Sequence, residues 1–234
     1  MSAAAIGASQ RMNRIYCTQR HFYDLTRRPY LLGRTALIRG LAPPPSGHVL
    51  EIGCGTAWNL IRAADQYPVA HFYGLDVSHA MLETARQSVG HRGHSGRIKL
   101  AHADATSFNP TELFGLYEFD RVFVSYTLSI IPDWPHVVAR AMEALAPGGS
   151  LHIVDFGQCE QLPAAFRALL IAWLARFSVA PARDFEHEIC GLARSASFSV
   201  NIVRLYRGYA VRAVLTRPAC KGYEPVTSPS CTPL

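Results

Sequence analysis

Apolar and polar residues follow two rhythms along this chain. Short runs dense in aliphatic and aromatic side chains, at 48–53, 71–76, 97–103, 119–126 and 150–155, read as strands buried on both faces. Between them, at 57–66, 79–89 and 133–146, apolar positions recur every three or four residues, as on a helix packed against a sheet. Ser78 suits the N-cap of the second helix and Asp133 that of the third, which Pro147-Gly148-Gly149 ends. GHRGHSG (90–96) reads as a glycine-rich loop. Strands alternating with helices imply a parallel sheet covered on both faces. Residues 197–205 and 208–216 add two closing strands with a turn near Arg207-Gly208. The expectation is an α/β fold with a seven-stranded, mostly parallel sheet and a C-terminal β-hairpin.

Both flanks differ from this core. Residues 9–40 carry Tyr16, Tyr23, Tyr30, Leu31 and Leu37 at helix-like spacing, with Pro29 as an interruption, and APPPSG (42–47) is a stiff linker. The chain therefore divides into an N-terminal helical arm or lid at 1–47, a core domain at 48–216, and a proline-bearing tail at 217–234 expected to be disordered. Residues 163–177 read as an amphipathic helix, with Phe166, Leu169, Leu170, Trp173, Leu174 and Phe177 on one face.

Charge sharpens this division. The chain has 234 residues, 49% of them hydrophobic, and a net charge of +6. Residues 1–48 hold seven arginines (11, 14, 20, 27, 28, 34 and 39) against one acid, Asp24, whereas the remainder balances 16 basic with 16 acidic side chains. A basic arm suits an anionic membrane surface or a nucleic acid. No zinc finger, helix-turn-helix or stacking-aromatic motif supports nucleic acid. The six cysteines form no CxxC pair and the ten histidines no HxxxH, so no metal is expected. The N-terminus, MSAAAIGASQRMNR, lacks a secretory apolar region, and the longest apolar run, 168–175, is eight residues. A spanning helix needs about 20. These features lead to the expectation of a cytoplasmic protein that binds the inner face of the cell membrane peripherally and reversibly.

The chemistry concentrates where the first strand meets the first core helix. There Val49-Leu50-Glu51-Ile52-Gly53-Cys54-Gly55 makes a strand–glycine–helix unit of the kind that holds a nucleotide-like cofactor. A dinucleotide fingerprint needs a third glycine for pyrophosphate, and Trp58 stands in its place. Glu51 would also repel phosphate. A nicotinamide oxidoreductase is thereby disfavoured, and a cationic, phosphate-free cofactor fits better. Three further signals stand in order at strand ends: Asp76, 21 residues after Gly55; Asp104 in HADA (102–105); and Pro147-Gly148-Gly149.

This series resembles the class I methyltransferases, in which it serves S-adenosyl-L-methionine on a Rossmann-like fold. The resemblance implies that Glu51, Gly53, Cys54, Gly55, Asp76, Val77, Met81, Asp104, Ala105, Ser125 and Tyr126 line the cofactor site. Asp76 would take the ribose hydroxyls and Asp104 the adenine amine. FYDLTRRPYLLGR (22–34), SYTLSIIPDW (125–134) and DFGQCEQLPAAFRALLIAWLARF (155–177) are similar to bacterial betaine-lipid N-methyltransferases. Those enzymes trimethylate the amine of diacylglyceryl-homoserine. A product that becomes cationic is favoured by aromatic faces. Tyr126, Tyr23 and Asp155 are thus candidate catalytic residues, and Tyr30, Phe156 and Trp173 candidate substrate contacts. Arg27 and Arg34 are candidates for the headgroup carboxylate. Other amine acceptors and a non-catalytic lipid-binding protein are the competing readings. Intact Gly53, Gly55, Asp76 and Asp104 speak against the latter.

Overall fold

A computed structural model of the chain describes residues 31–176, 179–182 and 184–219. The candidates Tyr23, Arg27 and Tyr30, most of the arm, and residues 220–234 lie outside the described residues.

Seven strands form one sheet in the order β3-β2-β1-β4-β5-β7-β6. They are β1 (His48–Ile52), β2 (His71–Asp76), β3 (Ile98–His102), β4 (Phe119–Ser125), β5 (Leu145–Phe156), β6 (Ser199–Leu205) and β7 (Ala210–Thr216). The first five are parallel, and β7 runs antiparallel to both β5 and β6. This agrees with the strand count and the closing hairpin read from the sequence. The order reverses between β1 and β4, where the crossovers leave to opposite sides and open a crevice above the strand ends.

Successive strand residues face opposite sides, which sorts the core into two layers. Leu50, Ile52, Val122, Val124, Leu151 and Ile153 pack with Val137, Val138 and Ala141 of α5 (Trp134–Glu143) and with Phe185 and Ile189 of α7 (Phe185–Ser195). Val49, Phe72, Phe123 and Val154 pack against three helices and the end of a fourth. Leu37 and Ile38 come from α1 (Arg34–Gly40), Leu60 and Ile61 from α2 (Trp58–Gln66), Leu82 from α3 (His79–His91), and Leu174 from α6 (Ala164–Ala175). A short helix, α4 (Pro110–Phe114), and a 3-10 turn at Leu128–Ile130 complete the described elements. Neither α4 nor α7 stands out in the apolar periodicity. α4 is a single turn started by Asn109, whose side chain accepts from Thr111 N at 3.1 Å.

Four sequence expectations change. The helix expected at 133–146 stops at Glu143, and β5 already begins at Leu145, because Ala144 O accepts from Phe119 N at 2.8 Å and draws the chain into the sheet. Pro147-Gly148-Gly149 therefore lies within an irregular first part of β5. Asp133 makes no side-chain cap, and its carboxylate instead lies 3.5 Å from His136 Nδ1. Ser78 does cap α3, accepting from Met81 N at 3.4 Å. The helix at 164–175 buries Leu174 and half-buries Leu170 and Trp173, but leaves Leu169 69% exposed, so the expected apolar face is only partly covered. The start of the tail is held, with Arg217 N donating to Gly149 O and Gly148 N to Pro218 O.

The arm's last segment is part of the core. Leu37, Ile38 and Leu41 are buried. Arg121 reaches the end of α1, donating from Nε to Leu41 O at 2.6 Å and from an η nitrogen to Ala42 O at 3.0 Å. Residues 31–41 and the sheet pack as one body.

Candidate active site

The crevice is built on the turn after β1. Gly53 and Gly55 take left-handed conformations, at φ +72° and +53°, which favour glycine. Gly53 N and Cys54 N both donate to Leu75 O at 2.9 Å, pinning the turn to β2. The side chain of Thr127 fills the space a Gly53 Cβ would need, at 2.4 Å, whereas nothing lies within 4 Å of a Gly55 Cβ. The turn is therefore closed below and open above. Ala57 and Tyr126 also have positive φ, at 63° and 56°. Such backbone strain costs about 1 kcal/mol or more and concentrates at functional sites.

Asp76 ends β2 beside this turn. One carboxylate oxygen accepts from Gly55 N at 2.8 Å and the other from Ser78 N at 2.8 Å. Each keeps a second lone pair for a ligand hydroxyl. Burial raises the Asp76 carboxyl pKa above its usual value, and these backbone donors oppose that. Val77 is half-buried, and Met81 is buried in the first turn of α3. Asp104 is exposed, and its Oδ1 is held by Thr106 N and Oγ1, both at 2.8 Å. Ala105 is buried behind it.

Glu51 is the most unusual group. It shares the face of β1 that meets α1 and α2 and is 1% exposed. Oε1 accepts from Asn59 Nδ2 at 2.6 Å, while Glu51 Oε2 and Asn59 Oδ1 have no hydrogen-bond partner. Burial pushes the carboxyl up to about 8, against the pull of Asn59 and Arg34. Two orphaned acceptors behind an open glycine turn suit a ligand that brings donors and positive charge. S-adenosyl-L-methionine brings both, with an ammonium and a sulfonium and no phosphate. Cys54, also buried, has its thiol pKa raised by burial and by Asp76 and Glu51, which keeps it protonated.

The other wall comes from the ends of β4 and β5. Tyr126 is buried and its hydroxyl donates to Leu32 O. Burial and the nearby Asp155 raise its pKa. Its ring meets Phe156 edge-on at 4.6 Å, and Phe156 meets Tyr209 edge-on at 5.9 Å. Trp173 is half-buried against this same apolar cluster. The buried Ser125 Oγ has no partner.

Asp155 points to the opposite face from Phe156. It is 2% exposed, and its oxygens accept from Leu128 N (2.9 Å), Ser129 N (3.2 Å) and Phe156 N (2.7 Å). The geometry makes it a clamp on the turn after Tyr126. Burial raises its carboxyl to about 6, against those donors.

Arg34, expected on the acceptor, lies at the glycine turn, with Cζ 4.2 Å from the Trp58 ring centre. Sequence reading missed Asn59, Leu32 O and Tyr209 as site components. Asn59 carries a signal, a polar residue among the buried positions of α2; Tyr209 carries none, because only the hairpin brings it to Phe156.

Comparison with known proteins agrees with this geometry. The family model for a methyltransferase domain matches residues 49–149. The fold is that of the class I methyltransferases, and the matched stretch is similar to a methyltransferase domain. Among curated relatives, trans-aconitate 2-methyltransferase of Streptomyces coelicolor is 34% identical over 110 residues, 47% of this chain and 34% of that protein. Demethylmenaquinone methyltransferase of Listeria welshimeri is 32% identical over 112 residues, 47% of this chain and 45% of that protein. The chain thus spans less than half the length of these relatives. Among solved structures, phosphoethanolamine N-methyltransferase 2 of Haemonchus contortus in complex with S-adenosyl-L-methionine aligns with a TM-score of 0.63. It is 18% identical, over 79% of this chain and 52% of that one, and supports the fold alone.

Proposed function

We propose that this protein is an S-adenosyl-L-methionine-dependent N-methyltransferase whose acceptor is the amine of diacylglyceryl-homoserine, methylated up to three times to the trimethylated betaine lipid. The observation that carries the transfer is the buried, half-satisfied Glu51 behind the open glycine turn. When bound, the cofactor supplies an electrophilic methyl group on a sulfonium.

The chain's own residues do the rest. Glu51 and Asp76 hold the donor from either side of the turn. Tyr126 and Phe156 pack edge-on at the ends of β4 and β5, and a ring face there would favour an amine that gains positive charge as it is methylated. With the cofactor held at the turn, its methyl group would pass to the amine nitrogen, and the amine proton would pass to solvent before a further methylation. This needs alignment more than a strong base. Asp155 serves by fixing the turn that follows Tyr126, and Tyr23 remains a proposed contact from the arm.

The lipid acceptor is supported by the three sequence blocks similar to betaine-lipid N-methyltransferases and by α6. Apart from Arg167, α6 is apolar all round, and it leaves Leu169 bare between the exposed Arg167 and Arg176. The helix lacks the polar face expected from its sequence pattern, and the support it gives is the bare Leu169 flanked by arginines, which suits an anionic membrane surface. No helix among the described residues is long and apolar enough to cross a membrane. The match to the methyltransferase domain ends at residue 149, ahead of Phe156 and α6, so it speaks for the donor and not the acceptor. The same rings would serve phosphatidylethanolamine or a soluble amine. Incubation with radiolabelled cofactor and extracted lipids decides among these: label in the betaine lipid supports the assignment, and label only in a water-soluble product overturns it.

A further inference from the structure

The chain enters α1 through Gly33, at φ +86°, where a Cβ would stand 3.2 Å from Val154 and 3.3 Å from Leu205. This close approach to the sheet sets where the next residue projects. Arg34 is half-buried, and its guanidinium carbon lies 4.2 Å from the centre of the Trp58 indole. Arg34 Nε donates to Leu31 O at 3.2 Å, which helps hold the group on the ring. Trp58 is the first residue of α2, directly behind the glycine turn. The Arg34 charge also acts on Glu51 and on Tyr126, opposing the rise that burial imposes on each, so the guanidinium lies within electrostatic reach of both walls of the crevice.

An acid and a guanidinium thus flank one end of the donor site, and Asp76 marks the other. An α-amino acid is a zwitterion and is recognised by such a pair, the acid facing its ammonium and the arginine fork its carboxylate. A guanidinium already stacked on an indole loses less freedom when it binds. We propose that Arg34 is a cofactor-binding residue that takes the carboxylate of the methionyl group, pairing with Glu51 to read the amino-acid end of the donor. This rests on the cofactor assignment above and moves Arg34 from the acceptor to the donor. Donor binding would also hold residues 31–34 over the crevice, between Trp58 and the Tyr126 hydroxyl that bonds Leu32 O.

Two ligands measured by titration calorimetry test it. S-adenosylhomocysteine carries the amino-acid group, and 5′-methylthioadenosine lacks it while keeping the purine, ribose and sulfur. Arg34→Ala is expected to weaken S-adenosylhomocysteine about 10- to 100-fold, the worth of a charged hydrogen-bonded pair, and to leave 5′-methylthioadenosine within about twofold. Retained binding of the second ligand also shows that the variant is folded. Arg34→Lys should recover part of the loss. Arg62→Ala, which removes the exposed guanidinium lying 5.4 Å from the same Trp58 ring, should change neither ligand. Unchanged S-adenosylhomocysteine affinity in Arg34→Ala overturns the proposal, as does an equal loss for both ligands. A wild-type protein that binds neither ligand overturns the cofactor assignment itself.

Discussion

Glu51 places a carboxyl that keeps its proton up to about pH 8 behind the glycine turn proposed to hold a cationic donor. A bound ammonium favours the carboxylate, so donor binding near neutral pH should release a proton from Glu51. Calorimetry of S-adenosylhomocysteine binding at pH 7 in buffers of different ionisation enthalpy measures this. Wild type should release a substantial fraction of a proton, and Glu51→Gln close to none, with affinity about 10- to 100-fold weaker. At the opposite wall, the Tyr126 hydroxyl is committed to Leu32 O, so the role proposed for Tyr126 in transfer falls to its ring. Tyr126→Phe should keep kcat within a few-fold and cost about 1 kcal/mol of stability, the net worth of one hydrogen bond. Tyr126→Ala, which removes the ring beside Phe156, should lower kcat far more. Steady-state rates and urea unfolding of the two variants distinguish these roles. The acid at 51 and the aromatic at 126 are legible from the sequence, the first as a charge inside the apolar run before the glycine turn and the second as an aromatic at the end of such a run. Their partners, Asn59, Arg34 and Leu32 O, come from other elements and are not.

β5 and the helix that follows it divide the work differently from the sequence reading. Asp155 faces away from the aromatic wall because it alternates with Val154 and Phe156 along the strand, and its carboxylate ties down the turn at Leu128–Ile130. An amide at this position has one acceptor oxygen and introduces donors facing backbone N–H groups. Asp155→Asn should therefore cost roughly 2–4 kcal/mol in equilibrium unfolding. A role confined to the amine would instead lower kcat and leave stability alone. Helix α6 gives the contrasting case, since Leu169 touches little and its substitution should not affect folding. Leu169→Glu is expected to change stability by less than about 0.5 kcal/mol and to abolish sedimentation with anionic liposomes at low salt. Wild-type binding should weaken at high salt, because each basic residue near an anionic surface contributes about 1 kcal/mol through a screened interaction. Equal binding to neutral vesicles would sink the electrostatic part of this reading.

At the scale of the whole molecule, three buried groups shape stability against pH. Native pKa values of about 8 for Glu51 and about 6 for Asp155 lie above their unfolded values of 4.5 and 3.8, so both bind protons more tightly in the folded state. Their contribution falls as pH rises, between 4.5 and about 8 for Glu51 and between 3.8 and about 6 for Asp155. His152, buried beside Arg121 and Arg212, has its pKa pushed down to about 4 from 6.5 and loses stability as pH falls through that window. Asp155 and His152 nearly offset each other below pH 6.5, which leaves Glu51 to set the slope from about pH 8 down to about pH 4.5. The unfolding midpoint of the cofactor-free protein should rise as pH falls from about 8 to about 4.5 and then level off, and in Glu51→Gln this rise should be largely lost. The sequence by itself determined the parallel sheet, its seven strands, and the glycine turn with its acids at strand ends. Each of these is written in local periodicity and in residues a few positions apart. Only the tertiary structure decided that Arg34 meets Trp58, that Asp155 faces the turn after β4, and that Tyr209 completes the ring wall. Those pairings depend on which strands lie side by side and which face each alternate residue takes, and both are set by contacts between residues far apart in the chain.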